Sequence, residues 1–377
     1  MRKLQLLFIS LVALSCSSDS DETEQIAETG FPFKVTVLAS EIENNIDTKN
    51  RFQIDLEKGA ASASTPVFMN EQLGFPRNAA SRLIDNTISF QLQEGDVLNL
   101  WRKNLATNQT LGKEEISLKI PLAECSFPYP IPVGNKLITT CFMDNQESVI
   151  SYDYSNNRIQ KAFTGENKSG WGSNTLVVRG KYLFFGYDDY NIRLENQNPS
   201  RFIDIYEWSS LNKVRTINVD PYEGFGIDQN KILMGGSSGY KLYDFVNDRV
   251  LSEGERLIGG GKGQFFTPSP IINNKIAIHD YRSNIGYTPG IFDFSSKQTL
   301  LIDRNKLLSQ FDTIESSNNL EIVQYEVHLK FEIAVIGYRY YDSSNNPHYG
   351  VAYVTMDSEV LSKTELPYYP GSISIFQ

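Results

Sequence analysis

One short turn signal recurs along the middle of the chain at a nearly constant interval, and it restricts the fold more than any other feature. It reads Asp85-Asn86-Thr87-Ile88, Gly134-Asn135-Lys136-Leu137, Arg179-Gly180-Lys181-Tyr182, Gln229-Asn230-Lys231-Ile232 and Asn273-Asn274-Lys275-Ile276. The second residues of these turns are 49, 45, 50 and 44 positions apart. Asn and Gly tolerate the positive φ that a tight hairpin turn demands. Each turn leads into an apolar strand: Leu137–Phe142, Tyr182–Tyr187, Ile232–Met234 and Ile276–His279. After a polar loop comes a strand that ends in an aromatic beside Asp, as in Ser151-Tyr152-Asp153-Tyr154, Leu242-Tyr243-Asp244-Phe245 and Ile291-Phe292-Asp293-Phe294. A polar turn such as Ser155-Asn156-Asn157-Arg158 and a more variable strand complete the unit. Four short antiparallel strands at a period of about 47 residues predict a β-propeller.

A sixth unit fits Leu320–Leu366, on strand pattern alone. The tail Ser372–Phe376 reads as the first strand of one more blade, which the N-terminal strands Phe33–Ala39 and Arg51–Glu57 complete. Joining both chain ends in one sheet removes free edges that a long β protein must otherwise protect. The expectation is seven blades over residues 31–377, with six as the alternative. In that alternative, residues 31–70 form a separate β segment. The 20 Tyr and 22 Phe support strands over helices.

The Asn-Lys turns and the Tyr-Asp strand ends resemble the TolB-like propeller domains of Bacteroidota lipoproteins, over roughly residues 70–377. The resemblance implies a fold and carries no catalytic residues with it.

The N-terminus points to export. Basic Met1-Arg2-Lys3 precedes an apolar run from Leu4 to Leu14, long enough for a signal peptide and too short to span a bilayer. Ala13-Leu14-Ser15-Cys16 resembles a lipobox with its Ala and Leu exchanged. Residues 1–15 are therefore the expected signal peptide and Cys16 the lipid-bearing residue, with an ordinary cleaved leader as the alternative. Residues 16–30, opening Ser17-Ser18-Asp19-Ser20-Asp21-Glu22, read as a flexible acidic tether. That patch resembles the surface-export signal of Bacteroidota lipoproteins, so the expected location is the outer membrane, surface-facing, with the periplasmic face as alternative. The expected membrane contact is the lipid on Cys16. A formal charge of −10 argues against nucleic acid. Cys125 and Cys141 have the oxidising surroundings a disulfide needs, with two buried thiols as the alternative. The three His and two remaining Cys show no metal spacing, and neither a metal nor a cofactor is expected.

Candidate binding residues lie on two sets of loops at one end of the ring. The segments leading into the blades supply Tyr129, Trp171, Tyr222, Phe266 and Tyr369. Aromatic rings there suit sugar faces or peptide side chains, or else fill the wedge between blades. The longer polar loops supply Asp188, Asp189 and Arg193 in one, Arg282 in another, and Arg339 with Asp342 and His348 in a third. Asp188 and Asp189 are oxygen donors of the kind calcium takes, but adjacent strand-end carboxylates point to opposite sides. Gly259–Gly263 reads as a connecting loop and not a phosphate cradle, because no Ser/Thr or helix follows it. Asp312-Thr313-Ile314 matches a short O-glycosylation sequon, placing Thr313 as a modification candidate. No GxSxG, SxxK or HExxH sequence is present. Three functions fit: a non-enzymatic, protein-binding subunit of an outer-membrane complex, a glycan-binding lipoprotein, and a carbohydrate-active enzyme. The first is preferred.

Overall fold

The computed structural model describes residues 31–376 except 32, 44–45, 58–61, 85, 119–129, 144–145, 171–175, 195–197, 223, 237–238, 256–270, 283–285 and 312–319. Residues 1–30 with Cys16, and also Cys125, Tyr129, Trp171, Gly259–Gly263, Phe266 and Thr313, lie outside the described residues.

The described strands form six sheets, almost entirely antiparallel. The first begins with β1 (Lys34–Glu43), β2 (Ile46–Glu57), β3 (Ser62–Ala63) and β4 (Val67–Phe68), followed by helix α1 (Met69–Leu73). The second holds β5 (Ala80–Ile84), β6 (Thr87–Glu94), β7 (Val97–Asn104) and β8 (Gln109–Ser117). The third holds β9 (Ile131–Val133), β10 (Lys136–Met143), β11 (Gln146–Asp153) and β12 (Arg158–Glu166). The fourth holds β13 (Lys168–Gly170), β14 (Leu176–Arg179), β15 (Tyr182–Arg193), β16 (Pro199–Glu207) and β17 (Asn212–Asn218). The fifth holds β18 (Gly224–Asp228), β19 (Lys231–Gly236), β20 (Gly239–Asp244) and β21 (Arg249–Gly254). The sixth joins β22 (Lys275–Arg282), β23 (Gly286–Asp293) and β24 (Gln298–Leu301) to β25 (Glu321–His328), β26 (Ile333–Tyr341), β27 (Pro347–Thr355) and β28 (Val360–Leu366), with α2 (Arg304–Leu308) between the two groups. A single parallel bridge, Gly286 to Ile322, links those groups. Finally β29 (Tyr369–Phe376) returns to pair with β1 over Lys34–Ser40, so the first sheet contains both ends of the described chain.

This is an all-β propeller, and its core shows why the sequence alternates as it does. Successive strand residues face opposite sides, so each sheet feeds two clusters. In β15, Leu183, Phe185 and Tyr187 join Ile138 and Val149 of the third sheet, while Tyr182 and Phe184 join Ile232 and Met234 of the fifth. In β26, Ala334, Ile336 and Tyr338 face β22–β24, while Ile333 and Val335 face Val35 and Val37 of β1. Seven clusters follow one another in this way. The last, with Leu38, Phe75, Phe90 and Trp101, packs the first sheet on the second. The short α2 fills the space beside β24 with Leu307, and Phe311 follows it there. Asp303 caps this helix by accepting from the Asn305 and Lys306 amides; the strand-based sequence reading had no helix there.

The recurring motifs are explained by one contact. The turn after the innermost strand meets the turn between the third and fourth strands. Asn135 donates to Asp153 and Asn230 to Asp244 across these turns. The Tyr154, Phe245 and Phe294 amides donate to the Asn135, Asn230 and Asn274 carbonyls. Each Asp also caps its own turn: Asp244 accepts from the Val246 and Asn247 amides, and Asp293 from the Ser295 amide. The next turn residue carries the positive φ: Asn157 at 56°, Asp248 at 54° and Lys297 at 58°. Cys141 is disulfide-bonded, with its partner outside the described residues.

Candidate functional site

Propeller topology puts the tips joining second and third strands at the same end of the ring as the segments leading into each blade. Two features stand out at that end.

The first is the β15–β16 hairpin. The sequence reading placed Asp188 to Arg193 in a loop of about fifteen residues; the structure corrects this. These residues continue β15 as strand, because β13 pairs with Tyr187–Asp189 on one edge while β16 pairs on the other. The strand ends at Arg193, and β16 begins at Pro199. Asp189 is buried, accepts from the Asn191 amide at 3.0 Å and lies 3.6 Å from Lys168. The Lys168 ammonium in turn sits 4.8 Å from the centre of the Tyr187 ring. Asp188 is half-buried opposite Arg201. The two carboxylates therefore diverge, as strand alternation requires, and no group of three metal-binding side chains exists among the described residues. Asn191 ties the hairpin tip to the preceding turn by donating to the Glu166 carbonyl at 2.9 Å and accepting from Asn167 at 3.1 Å. Tyr190 and Ile192 are left 45% and 50% exposed beside exposed Arg193.

The second is an aromatic and charged cluster around the head of β25, the inner strand of its group. Arg339 lies in β26, not in the expected loop; the loop is the tight Asp342–Asn346 turn, which Asp342 caps by accepting from the Ser344 and Asn346 amides. Hydrogen bonds from Asn346, first its side chain, hold the Asp342 carboxyl down at about 2. Arg339 donates through Nε to Glu321 at 3.1 Å and through Nη2 at 2.5 Å. Its guanidinium lies 5.5 Å from the Tyr341 ring and 5.8 Å from the Tyr369 ring. Tyr349 meets Tyr369 edge-on at 5.7 Å. On the other side of β25, His279 Nδ1 lies 2.5 Å from the Tyr325 hydroxyl and its ring is edge-on to Tyr287 at 5.1 Å. Burial pushes His279 down to about 4, against a small opposing pull from Asp280. Burial raises Tyr369, opposed by Arg339 and reinforced by Glu321, Tyr287 and Tyr349; β23 joins β25 through the Gly286–Ile322 bridge. Gly286 makes this junction possible. It adopts φ +73°, and a Cβ there would collide with the Ile322 carbonyl.

The structure thus brings Arg339 and Tyr369 together. Tyr222 stands elsewhere, packed on the core between the fourth and fifth sheets. Phe75 stacks on Phe90 at 3.8 Å, and Tyr368 on Phe52 at 3.8 Å. Among the described lead-in aromatics, then, Phe75, Tyr222 and Tyr368 serve blade packing. Arg282 ends β22, paired with Gly286, near the same mouth.

Four charged side chains on inner strands escaped the sequence reading. Arg82 of β5 donates to the Leu176 carbonyl of β14 at 2.9 Å, reaching past the third sheet. Arg179 at the end of β14 acts electrostatically on both Asp228 of β18 and Glu326 of β25. Burial raises both acids, Glu326 to about 7, and Arg179 opposes each shift. No local signal marks these residues, because only ring closure brings the inner strands face to face. A cavity of about 440 Å³ lies elsewhere, between Glu114–Ser117 and Tyr152–Asn157. The Tyr152 hydroxyl donates there to the Ser117 carbonyl, and Arg102 pairs with Glu114.

No protein-family model matches the chain, and no curated protein matches it. Several solved structures are similar to it, a β-propeller domain among them. The β-propeller domain of the Trilobed protease from Pyrococcus furiosus is 14% identical, with 89% of this chain and 95% of that one covered, at a TM-score of 0.45. TolB from Acinetobacter baumannii is 13% identical, with 97% and 86% covered, at 0.35. An uncharacterized protein from Listeria monocytogenes is 10% identical, with 91% and 94% covered, at 0.46. By its own strand order the chain is an all-β propeller, distantly similar to TolB and to other propellers.

Proposed function

We propose that this chain is a lipid-anchored, non-enzymatic lipoprotein of the TolB-like Bacteroidota type, serving as a protein-binding subunit of an outer-membrane complex. In this reading Cys16 carries the lipid and residues 16–30 hold the propeller off the membrane. Residues 31–377 form one ring of seven blades. The sixth sheet counts as two blades, β22–β24 and β25–β28, because a separate cluster packs them against each other. Ring closure through β1 and β29 fits the same count.

One observation supports the binding role most directly. The β15–β16 hairpin presents Tyr190 and Ile192 to solvent on a tip braced by Asn191. Exposed apolar side chains on a braced protrusion suit a protein partner, since little ordering entropy remains to be lost on docking. Ile46 at the β1–β2 tip is 69% exposed at the same end of the ring.

The test is capture from detergent-solubilised membranes of the source organism. The parent protein is expected to recover a stoichiometric partner, and the Tyr190→Ser/Ile192→Ser variant to lose it with its melting temperature unchanged. Equal recovery by both proteins, or no partner for the parent, overturns the reading.

A further inference from the structure

We propose that the head of β25 carries a binding site for a neutral saccharide, formed by Glu321, Arg339, Tyr341 and Tyr369. This goes beyond the protein-partner reading and uses a different part of the same end of the ring. Of the aromatics at which the sequence suggested saccharide recognition, it uses Tyr369.

The chemistry of the cluster selects the ligand class. Arg339 donates through Nε and Nη2 to one oxygen, Oε2, of Glu321, so the site offers donors and an acceptor side by side while its formal charges cancel. An anion would meet Glu321, and a cation would meet Arg339. A polyol meets neither penalty, because each hydroxyl both donates and accepts. His279 adds no charge at neutral pH. Arg339 lies beside two tyrosine rings, which narrows the positions open to its guanidinium. The Arg339 and Glu321 side chains remain 25% and 33% exposed, so the pair still reaches solvent. Tyr341 and Tyr369 are half-buried beside it, supplying apolar ring surface and hydroxyls together. The residues come from β25, β26 and β29, so strands rather than mobile loops hold the arrangement.

The inference is tested by titrating the purified protein, without any partner, with cellohexaose, maltohexaose, xylohexaose and mannohexaose, and with polygalacturonate as the anionic arm. At least one neutral hexaose is expected to bind the parent protein. Arg339→Lys, which keeps the charge and loses the fork, and Tyr369→Ala are each expected to weaken that binding at least tenfold, of the order of one lost charge-assisted hydrogen bond. Tyr190→Ser/Ile192→Ser is expected to bind the saccharide like the parent. Thermal unfolding of each variant separates a lost site from a lost fold, and Tyr369→Phe, which keeps the ring, provides a second variant should Tyr369→Ala fail to fold. Binding by no neutral hexaose, binding of polygalacturonate alone, or parental affinity in folded Arg339→Lys overturns the proposal. None of these results depends on recovery of a protein partner, so the two readings fail separately.

Discussion

His279 and Glu326 make opposite demands on pH. Burial holds His279 at about 4 against an ordinary 6.5. Between those values an unfolded chain takes up a proton that the folded chain refuses, so stability falls as pH drops from about 6.5 to 4. Burial holds Glu326 up at about 7 against an ordinary 4.5. There the unfolded chain releases a proton that the folded chain keeps, so stability falls as pH rises from about 4.5 to 7. At about 1.4 kcal/mol per pH unit, each effect has a ceiling of about 3 kcal/mol. Glu326→Gln is expected to match the parent near pH 4 and exceed it by about 1–3 kcal/mol at pH 8, read from urea midpoints. An unchanged alkaline limb in that variant would remove Glu326 as its source. Asp204 shows the contrasting solution. It is fully buried, yet it accepts from Lys213, Thr216 and Tyr206 at 2.6, 2.6 and 2.9 Å, so its charge is matched inside its own sheet.

Hairpin turns are the elements on which the repeat depends. Asp244 accepts from the Val246 and Asn247 amides and from the Asn247 and Asn230 side chains. Removing its carboxylate strands several donors at once, whereas removing Asn230 strands a single acceptor. Asp244→Ala is therefore expected to cost about 1–3 kcal/mol, and Asn230→Ala about 0.5–1.5 kcal/mol. Urea unfolding of the two single variants checks the order, and equal costs would show that the turn-to-turn bond, not the cap, dominates. The same elements explain how much of the fold was legible locally. Asn, Gly and Asp signal a turn through their own backbone preferences and short side-chain bonds, within a few residues. The β15 extension was illegible for the opposite reason. Asp188-Asp189-Tyr190-Asn191 has the composition of a loop, and only pairing with β13 and β16 makes it strand.

At the scale of the molecule, stability depends on joining the two ends of the chain. β29 contributes Ile373 to the cluster against β25–β28 and Phe376 to the cluster against the second sheet. Burying each such side chain contributes about 1.5–3 kcal/mol, and losing the strand also bares the ladder edge of β1. Together these losses are comparable to a typical whole-domain stability of about 5–15 kcal/mol. A chain ending at Leu366 is expected to lose its cooperative unfolding transition and to associate on gel filtration, through the exposed edge. A monomer with the parental urea midpoint would contradict this role for β29.

The sequence by itself determined the strand programme and the turn positions, since both follow from period-two alternation and local turn chemistry, and the cost of free sheet edges pointed the tail back to the N-terminal strands. Of the mouth cluster it named Arg339 and Tyr369, without a reason to pair them. Only the tertiary structure decided that Arg339 lies beside Tyr369, that Tyr222 goes to packing, and that Arg179 acts on Glu326. These relations join residues of different blades, and no local preference encodes the geometry that ring closure imposes.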